Sequence, residues 1–258
     1  MRFSRAREAG LDETLAGRIV DTYAEEDLPP SWHVAPELAD RVRAHPGPHP
    51  AGLGARMDAP FPAEQQTELA LGRGLVHGFS KLLIALGLEP TEMATTVLPT
   101  PTPAEGATVV SPAPRSDPYR RLLMACPDLA DRWCSMHERL HSLDAVPPGA
   151  LEVGRRRMCL LLGVDADAYQ ASGRTRQDGA GAAVDDGTMS PEATNLVGAT
   201  AEAFALDVRS IDADLRRQLT EWSGPDGLVQ LVMALAVYDG IYRVAAWAAG
   251  SAAASEER

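Results

Sequence analysis

The sequence predicts an all-α fold. Nearly every patterned segment spaces its apolar residues as a helix does, and no stretch alternates apolar and polar residues with the β-branched content of a strand. Pro127 and Pro191 stand where a first helical turn tolerates proline, and Ser190 and Asp226 are predicted N-caps. We therefore expect helices over 11–26, 35–44, 63–87, 118–125, 127–143, 148–162, 190–205, 210–222 and 227–249.

Two segments interrupt this helical pattern. Residues 95–117 are rich in Pro, Thr and Ala, which favours an extended linker, and residues 173–189 are rich in Gly and Asp, which suits a loop. The sequence thus divides into a partial helical unit (1–94), the linker, a complete helical unit (118–250) and a disordered tail (251–258).

Charge argues against two classes of partner. The 258 residues include 24 basic and 36 acidic side chains, for a net charge of −12. Binding of nucleic acid or of an anionic membrane needs a basic face, so neither is expected. The long apolar run 228–249 contains Gln230, Asp239 and Arg243. Charges are costly inside a bilayer, and this run is therefore predicted to be a core helix.

The cysteines and the N-terminus predict a cytoplasmic protein. Cys126, Cys134 and Cys159 are odd in number, and no pair has CxxC spacing, so a disulfide framework is not expected. The first residues, MRFSRAREAGLDE, are charged and lack the apolar segment of a signal peptide.

An internal repeat relates two of the predicted helices. ELALGRGLVHGFSKLLIALG (68–87) aligns without a gap with QLVMALAVYDGIYRVAAWAA (230–249), which pairs Gly78 with Gly240 and Lys81 with Arg243. Chance similarity remains the alternative. Asp239 and Arg243, at i and i+4 on an apolar helix, are expected to form a buried ion pair or a subunit contact. His77 and Lys81 occupy the matching places in the first copy.

Residues 118–250 resemble the carboxymuconolactone decarboxylase / alkylhydroperoxidase D family. The resemblance rests on four features in chain order. They are a leucine-rich helix that follows a proline, RLLMACPDLADRWCSMHERLHSL (121–143); a proline-led arginine-rich helix, VPPGALEVGRRRMCLLLG (146–163); a Tyr-bearing loop, DADAYQASGR (165–174); and a helical hairpin formed by SPEATNLVGATAEAFAL (190–206) and GLVQLVMALAVYDGIYRVAAW (227–247). Segment 68–90 resembles the closing helix of that hairpin. The resemblance implies an AhpD-like fold, with one complete unit preceded by part of another.

The redox residues of that family are replaced here. With Tyr169 as the anchor, the family's Glu falls on Arg155, its two cysteines on Asp167 and Gln170, and its His on Arg174. Peroxidase chemistry needs a reactive thiolate and a resolving thiol, and this loop contains neither. The resemblance therefore implies the fold and a site, without the peroxidase reaction, and no cofactor is expected.

His137-Glu138-Arg139-Leu140-His141 spells HExxH on a predicted helix. Histidines at i and i+4 share a helix face and could hold zinc, with Cys134 as a third ligand. The sequence shows no third-ligand motif of a known zinc protease. The simpler interpretation is therefore two partly exposed histidines on an amphipathic helix, and a metal site is the alternative.

The sequence suggests an enzyme that carries out non-redox chemistry on a small organic acid, ketone or lactone, in specialised metabolism. Decarboxylation, isomerisation and cyclisation all need an acid or base and a group that stabilises negative charge. The predicted catalytic residues are Asp167, Tyr169, Arg174, His137 and His141, and the predicted substrate-binding residues are Arg155, Gln170, Tyr242 and Arg243. The alternatives are a metal-dependent enzyme and a non-catalytic protein of the same fold, and a homo-oligomer is expected.

Overall fold

In a computed structural model, the described residues are 2–3, 30–44, 53, 56–57, 60–88, 97–98, 127–165 and 189–256. They are mostly helical, as predicted. β1 (Arg2–Phe3) and β2 (Val97–Leu98) are two residues each and pair in parallel, with Arg2 opposite Val97. The helices are α1 (Pro30–Ala44), α2 (Ala63–Ala85), α3 (Pro127–Ser142), α4 (Pro148–Leu162), α5 (Pro191–Leu206) and α6 (Ala213–Glu256), with a 3-10 turn at Val208–Ser210.

The predicted helices agree with the structure wherever it describes them. α1 begins five residues earlier than predicted, at Pro30, and keeps Pro36 inside the helix instead of in its first turn. The predicted helices 11–26 and 118–125, the loop 173–188 and the linker apart from Val97–Leu98 lie outside the described residues. Residues 251–256, expected in a disordered tail, continue α6 as helix.

α6 contains a kink where two separate helices were predicted. Gly224 has φ 74° and ψ 172°, a left-handed conformation that favours glycine, and Pro225 follows as the first residue of the next helical segment. The prediction that Asp226 caps this segment is therefore wrong, because the non-helical residue lies two positions earlier.

The predicted N-cap at Ser190 is confirmed. Its backbone is extended (φ −71°, ψ 156°), and its hydroxyl oxygen accepts a hydrogen bond of 3.2 Å from the amide of Ala193. Pro191 then begins α5, as the sequence suggested.

Replacement of Ser190 by alanine is expected to lower the free energy of unfolding by about 1 kcal/mol, because the amide of Ala193 loses its acceptor. Urea denaturation followed by circular dichroism measures the change. Ser142→Ala is the control, since this exposed hydroxyl only donates to the carbonyl of Arg139 at the end of α3. Equal losses in both variants would contradict a capping role for Ser190.

The second segment of α6 lies at the centre of the core. Leu231, Leu235 and Tyr238 are almost wholly buried, and α6 packs against α2, α4 and α5. Gly154 brings α4 close to α6, since a Cβ at Gly154 would meet Leu235 at 3.1 Å. This packing places one face of α6 against α3 and α4 and another against α2.

Small residues let α2 and α6 approach closely where they cross. A Cβ at Gly74 would lie 2.8 Å from the carbonyl oxygen of Gly240, and a Cβ at Gly240 would lie 2.5 Å from that of Gly74. One turn away, Gly78 packs directly on the backbone of Ala236. The two backbones therefore touch, with no room for side chains between them.

The offset that aligned the two helices by sequence also matches these elements. Lys81 and Arg243 are 162 positions apart, and the same shift moves α1 onto 192–206 and α2 onto 225–247, within α5 and α6. The shift also takes Gly74 forward to Ala236 and Gly240 back to Gly78. The Gly74–Gly240 contact therefore corresponds to the Gly78–Ala236 contact in the other half. The two halves thus pack with approximate two-fold symmetry at this crossing.

Among the described residues, one helix is long and apolar enough to cross a membrane, the part of α6 over Ala213–Ala248. Its most apolar window is 83% buried inside the protein. This burial is what the predicted core helix requires.

Candidate functional site

α3, α4 and α6 bring several polar side chains together. His137 and His141 project from one face of α3, since residues four apart on a helix are neighbours. Tyr238 and Tyr242 have the same spacing on α6, and their rings stack with centroids 6.0 Å apart. Arg155 enters from α4 and is only 5% exposed. We call these five residues the His–Arg–Tyr cluster.

The two histidines differ in their surroundings. Their ring centroids are 4.4 Å apart, and Nε2 of His141 lies 2.9 Å from the hydroxyl of Tyr238, within hydrogen-bond distance. His141 is exposed to solvent. His137 is half-buried, and its Nε2 is a buried atom with no hydrogen-bond partner in the described part of the chain.

Arg155 is held in place by a neighbouring carboxylate. Its Nε and NH2 donate to the two oxygens of Glu152 at 2.7 and 2.8 Å, a bidentate pair within α4. Its NH1 points to the hydroxyl of Tyr242 at 3.5 Å. Glu152 also accepts a bond of 2.6 Å from Nε of Arg156, whose side chain is 40% exposed. Arg155 is therefore a fixed cation beside the tyrosines.

The cluster sets the protonation state of His137. Burial, the adjacent His141 and the charge of Arg155 lower the pKa of His137 to about 4. The imidazole is therefore neutral at physiological pH. A neutral imidazole has one donor and one acceptor nitrogen, so it can donate to an oxygen without carrying a charge.

Cys159 lies on α4 near the same cluster. It is buried and free of a disulfide, and burial raises the pKa of its thiol. A thiol with a raised pKa is a poor nucleophile at neutral pH. Burial and a raised pKa both disfavour the reactive thiolate that a peroxidase centre needs at Cys159.

A second polar cluster lies between α2 and α6. Asp239, Lys81, His77 and Arg243 form it, and we call it the Asp239 cluster. The carboxylate of Asp239 is wholly buried and contacts Arg243 Nε at 2.9 Å, Lys81 Nζ at 3.0 Å and His77 Nε2 at 2.9 Å. Burial alone would raise the pKa of Asp239, but these three neighbours lower it to about 2. The predicted Asp239–Arg243 ion pair is thus confirmed.

The two cations of the Asp239 cluster also bind the ends of two helices. Lys81 donates to the carbonyl oxygens of Phe204 and Ala205 at 2.8 and 3.2 Å, at the end of α5. Arg243 donates to those of Val42 and Arg43 at 3.2 and 2.8 Å, at the end of α1. These two sets of contacts are equivalent in the repeat. The shift of 162 residues takes Lys81 to Arg243, and in the opposite direction it takes Phe204 and Ala205 to Val42 and Arg43. Each half of the repeat therefore caps a helix of the opposite half.

The structure brings some of the predicted site residues together. Arg155, Tyr242, His137 and His141 lie in one cluster, whereas the guanidinium of Arg243 is engaged by Asp239 and the helix carbonyls. Arg243 was expected to bind substrate, and its contacts are those of a structural residue. Four predicted residues, Asp167, Tyr169, Gln170 and Arg174, lie outside the described residues.

Several participants were not among the predicted site residues. Glu152 could have been found by its spacing of three and four from Arg155 and Arg156. Tyr238 could have been found by its spacing of four from Tyr242. Lys81 and His77 reach the Asp239 cluster from a distant helix, and local spacing does not reveal such a contact.

No third metal ligand joins the two histidines within the described ranges. These ranges contain no group of three His, Cys, Asp or Glu side chains placed to hold a metal ion. The side chain of Cys134, the proposed third ligand, lies outside what the structure describes.

Comparison with family models, with curated proteins and with solved structures finds no match to this chain.

Proposed function

We propose that this protein is a helical enzyme that performs non-redox acid–base chemistry, a decarboxylation, isomerisation or cyclisation, on a small organic acid, ketone or lactone. The proposed site is the His–Arg–Tyr cluster. The observation that carries the proposal is the buried Nε2 of His137, which lacks a hydrogen-bond partner in the described part of the chain.

A buried polar atom without a partner destabilises a protein by about 1–3 kcal/mol, and a bound ligand would remove that penalty. Arg155 places a permanent positive charge beside the neutral imidazole of His137. A cation next to a neutral hydrogen-bonding group favours an anionic ligand with a carbonyl or enolate oxygen. This arrangement supports a small carboxylic acid as the ligand class.

The proposed roles follow from charge and exposure. His137 donates a hydrogen bond to the oxygen that gains negative charge, as a neutral imidazole can. The charge of Arg155, whose Nε and NH2 donate to Glu152, attracts the carboxylate. His141 is exposed and lies against His137, so it exchanges protons with water, and the hydroxyl of Tyr238 orients its ring. Asp167, Tyr169, Gln170 and Arg174, which lie outside the described residues, remain proposed contributors.

The family assignment is part of this proposal. The order of α3, α4, α5 and α6 is the order that the resemblance to the carboxymuconolactone decarboxylase family implies. A cytoplasmic location and a small-molecule substrate are proposed with it. A non-catalytic protein of this fold would bind no ligand at His137, and the experiment below separates the two.

Small carboxylates such as benzoate and acetoacetate should bind at the cluster, and Arg155→Met should weaken that binding at least about tenfold, since a charged hydrogen bond contributes about 1.5–3 kcal/mol. Titration calorimetry measures the affinity, and the imidazole proton resonances of His137 report where the probe binds. His137→Asn should weaken binding as well, because it removes the imidazole donor.

Arg156→Met is the matched control, since Arg156 is the next residue, shares Glu152 and is far more exposed. It should leave the affinity within about twofold, as a surface ion pair contributes little. Equal losses for the two arginine variants would show a general charge effect. Probes that leave the His137 resonances unmoved would reject the site and favour the non-catalytic alternative.

A further inference from the structure

Gln230 is a buried side chain of α6 that the His–Arg–Tyr cluster does not include. It is 1% exposed, and its amide makes four hydrogen bonds within the described part of the chain. Its Nε2 donates to the carbonyl oxygens of Leu140 and Leu143 at 2.9 and 2.6 Å. Its Oε1 accepts from the backbone amides of Ala145 and Val146, both at 3.0 Å. A carboxamide has two N–H donors and two acceptor lone pairs, so all of its hydrogen-bonding capacity is used.

These four bonds join α6 to both helices that carry the cluster. Leu140 lies in the last turn of α3, directly before His141, where the final carbonyl groups of a helix lack partners inside it. The other three bonds go to residues 143–147, which link α3 to α4 and which we call the α3–α4 connector. α4 carries Arg155. One side chain therefore binds the end of the histidine-bearing helix and the segment that leads into the arginine-bearing helix.

The position of α3 depends on α6. Of the described helices, α6 is the one against which α3 packs most. The hydroxyl of Tyr238 meets His141, and Gln230 lies about two helical turns earlier on α6. Contacts at two points along α6 fix the direction of α3 as well as its distance. Gln230 thereby helps to determine where His137 lies relative to Arg155.

The internal repeat separates this role from the packing that both halves share. The residue 162 positions before Gln230 is Glu68 on α2, and it is exposed. The buried amide is therefore a feature of the half that carries the His–Arg–Tyr cluster. The connector also lies close to α6 near this point, since a Cβ at Gly227 would lie 3.0 Å from the carbonyl oxygen of Ala145.

The chemistry of the side chain fits both sets of partners. A glutamate could accept from the two connector amides, but its charge would face the carbonyl oxygens of Leu140 and Leu143. An apolar side chain would leave buried or half-buried backbone groups without partners, which is costly. We propose that Gln230 is a positioning residue of the His–Arg–Tyr cluster, which holds His137 and His141 in place through the end of α3 and the α3–α4 connector. Its importance for ligand binding rests on the function proposed above.

Gln230→Met keeps the length of the side chain and makes none of the four bonds. In this variant the pKa of His137 should rise from about 4 to about 5 or above, towards its ordinary value of about 6.5, because the imidazole becomes less buried and moves away from the charge of Arg155. NMR titration of the imidazole protons measures the change. The affinity for benzoate, measured by calorimetry, should fall about tenfold, which is the effect of losing one hydrogen bond from His137.

Gln230→Glu is the second variant, since it keeps the shape and the acceptors for the connector and disturbs only the bonds to α3. It should move the pKa of His137 in the same direction. Ile211→Ala is the matched control. Ile211 is 1% exposed and follows the 3-10 turn that packs against α2 and α5. Its truncation should lower the melting temperature, as large-to-small core substitutions do, and leave the histidine titrations and the affinity for benzoate unchanged.

Histidines that titrate as in the wild type in a folded Gln230 variant would overturn the proposal, and so would an equal change in Ile211→Ala. If neither Gln230 variant folds, amide hydrogen exchange of the wild type decides. Slow exchange at Ala145 and Val146 supports the proposal, and exchange as fast as in an exposed loop would overturn it. Absence of benzoate binding to the wild type would count against the proposed function alone, because the histidine titrations test Gln230 without a ligand.

Discussion

Replacing Asp239 by alanine is expected to lower the free energy of unfolding by about 3–5 kcal/mol, because it leaves buried cations without their counter-charge. Asp239 is wholly buried, and its carboxylate contacts both Lys81 and Arg243. The helix carbonyls that also bind these two cations have partial charges only, so they cannot replace the carboxylate. Urea denaturation at neutral pH measures the loss.

Asp214→Ala is the matched control for this variant. Asp214 is an exposed aspartate on the same helix and pairs with Arg217, and water screens such an exposed pair, so this variant should lose far less stability than Asp239→Ala. The difference between Asp239→Ala and the wild type should also shrink as the pH falls. The folded pKa of Asp239 is about 2, below the unfolded value of about 3.9, so its contribution is present above pH ~4 and is lost towards pH 2.

An Asp239→Ala variant as stable as the wild type would mean that the two cations are solvated rather than buried. A loss of the same size in Asp214→Ala would point to a general sensitivity of α6. Either result would mean that the Asp239 cluster does not stabilise the packing of the two halves.

The sequence predicted the fold best where the signal is local. Helical period and the residues Ser190 and Pro191 are enough to locate the start of α5, because a cap and a first turn depend on neighbouring residues only. The kink at Gly224 was harder, since both Gly224 and Asp226 can begin a helix. Which of these two residues begins the segment depends on where α6 must turn to pack against α2 and α4.

The candidate site was predictable in part for the same reason. The spacing of His137 and His141 already places them on one helix face, and the i, i+4 spacing of Asp239 and Arg243 already suggests their ion pair. The approach of Tyr238 to His141 joins two helices that are 97 residues apart in sequence. Contacts of that kind depend on the packing of α3 against α6, which no local pattern encodes.

The repeat matters for stability because Lys81 and Arg243 each bind the end of a helix in the opposite half. Asp239 and His77 are equivalent positions that meet each other where the two halves cross. Identical acidic residues at both positions would repel there, whereas an acid beside a histidine does not. Lys81 and Arg243 each face the carbonyl end of a helix, where positive charge is favoured. The two halves thus both carry a cation at the equivalent position, and they differ where like charges would meet.

Gly78→Ala is expected to lower the free energy of unfolding by about 1–3 kcal/mol, although alanine is the better helix former. Gly78 lies in the middle of α2, where its backbone rests on that of Ala236. An added methyl group meets a main-chain carbonyl there, and backbone cannot rotate away as a side chain can. The two helices must move apart, which also disturbs the Lys81–Asp239 contact one turn away.

Gly72→Ala on the same helix is expected to have the opposite sign. A Cβ at Gly72 meets nothing within 4 Å, so the substitution only reduces the freedom of the unfolded chain and should add about 0.5–1 kcal/mol. Gly198→Ala on α5, where a Cβ is equally unobstructed, should behave likewise. Urea denaturation of the three variants at low protein concentration gives the comparison. A Gly78→Ala variant that gains stability as Gly72→Ala does would show that α2 and α6 are not in backbone contact, and the symmetric crossing would then have to be abandoned.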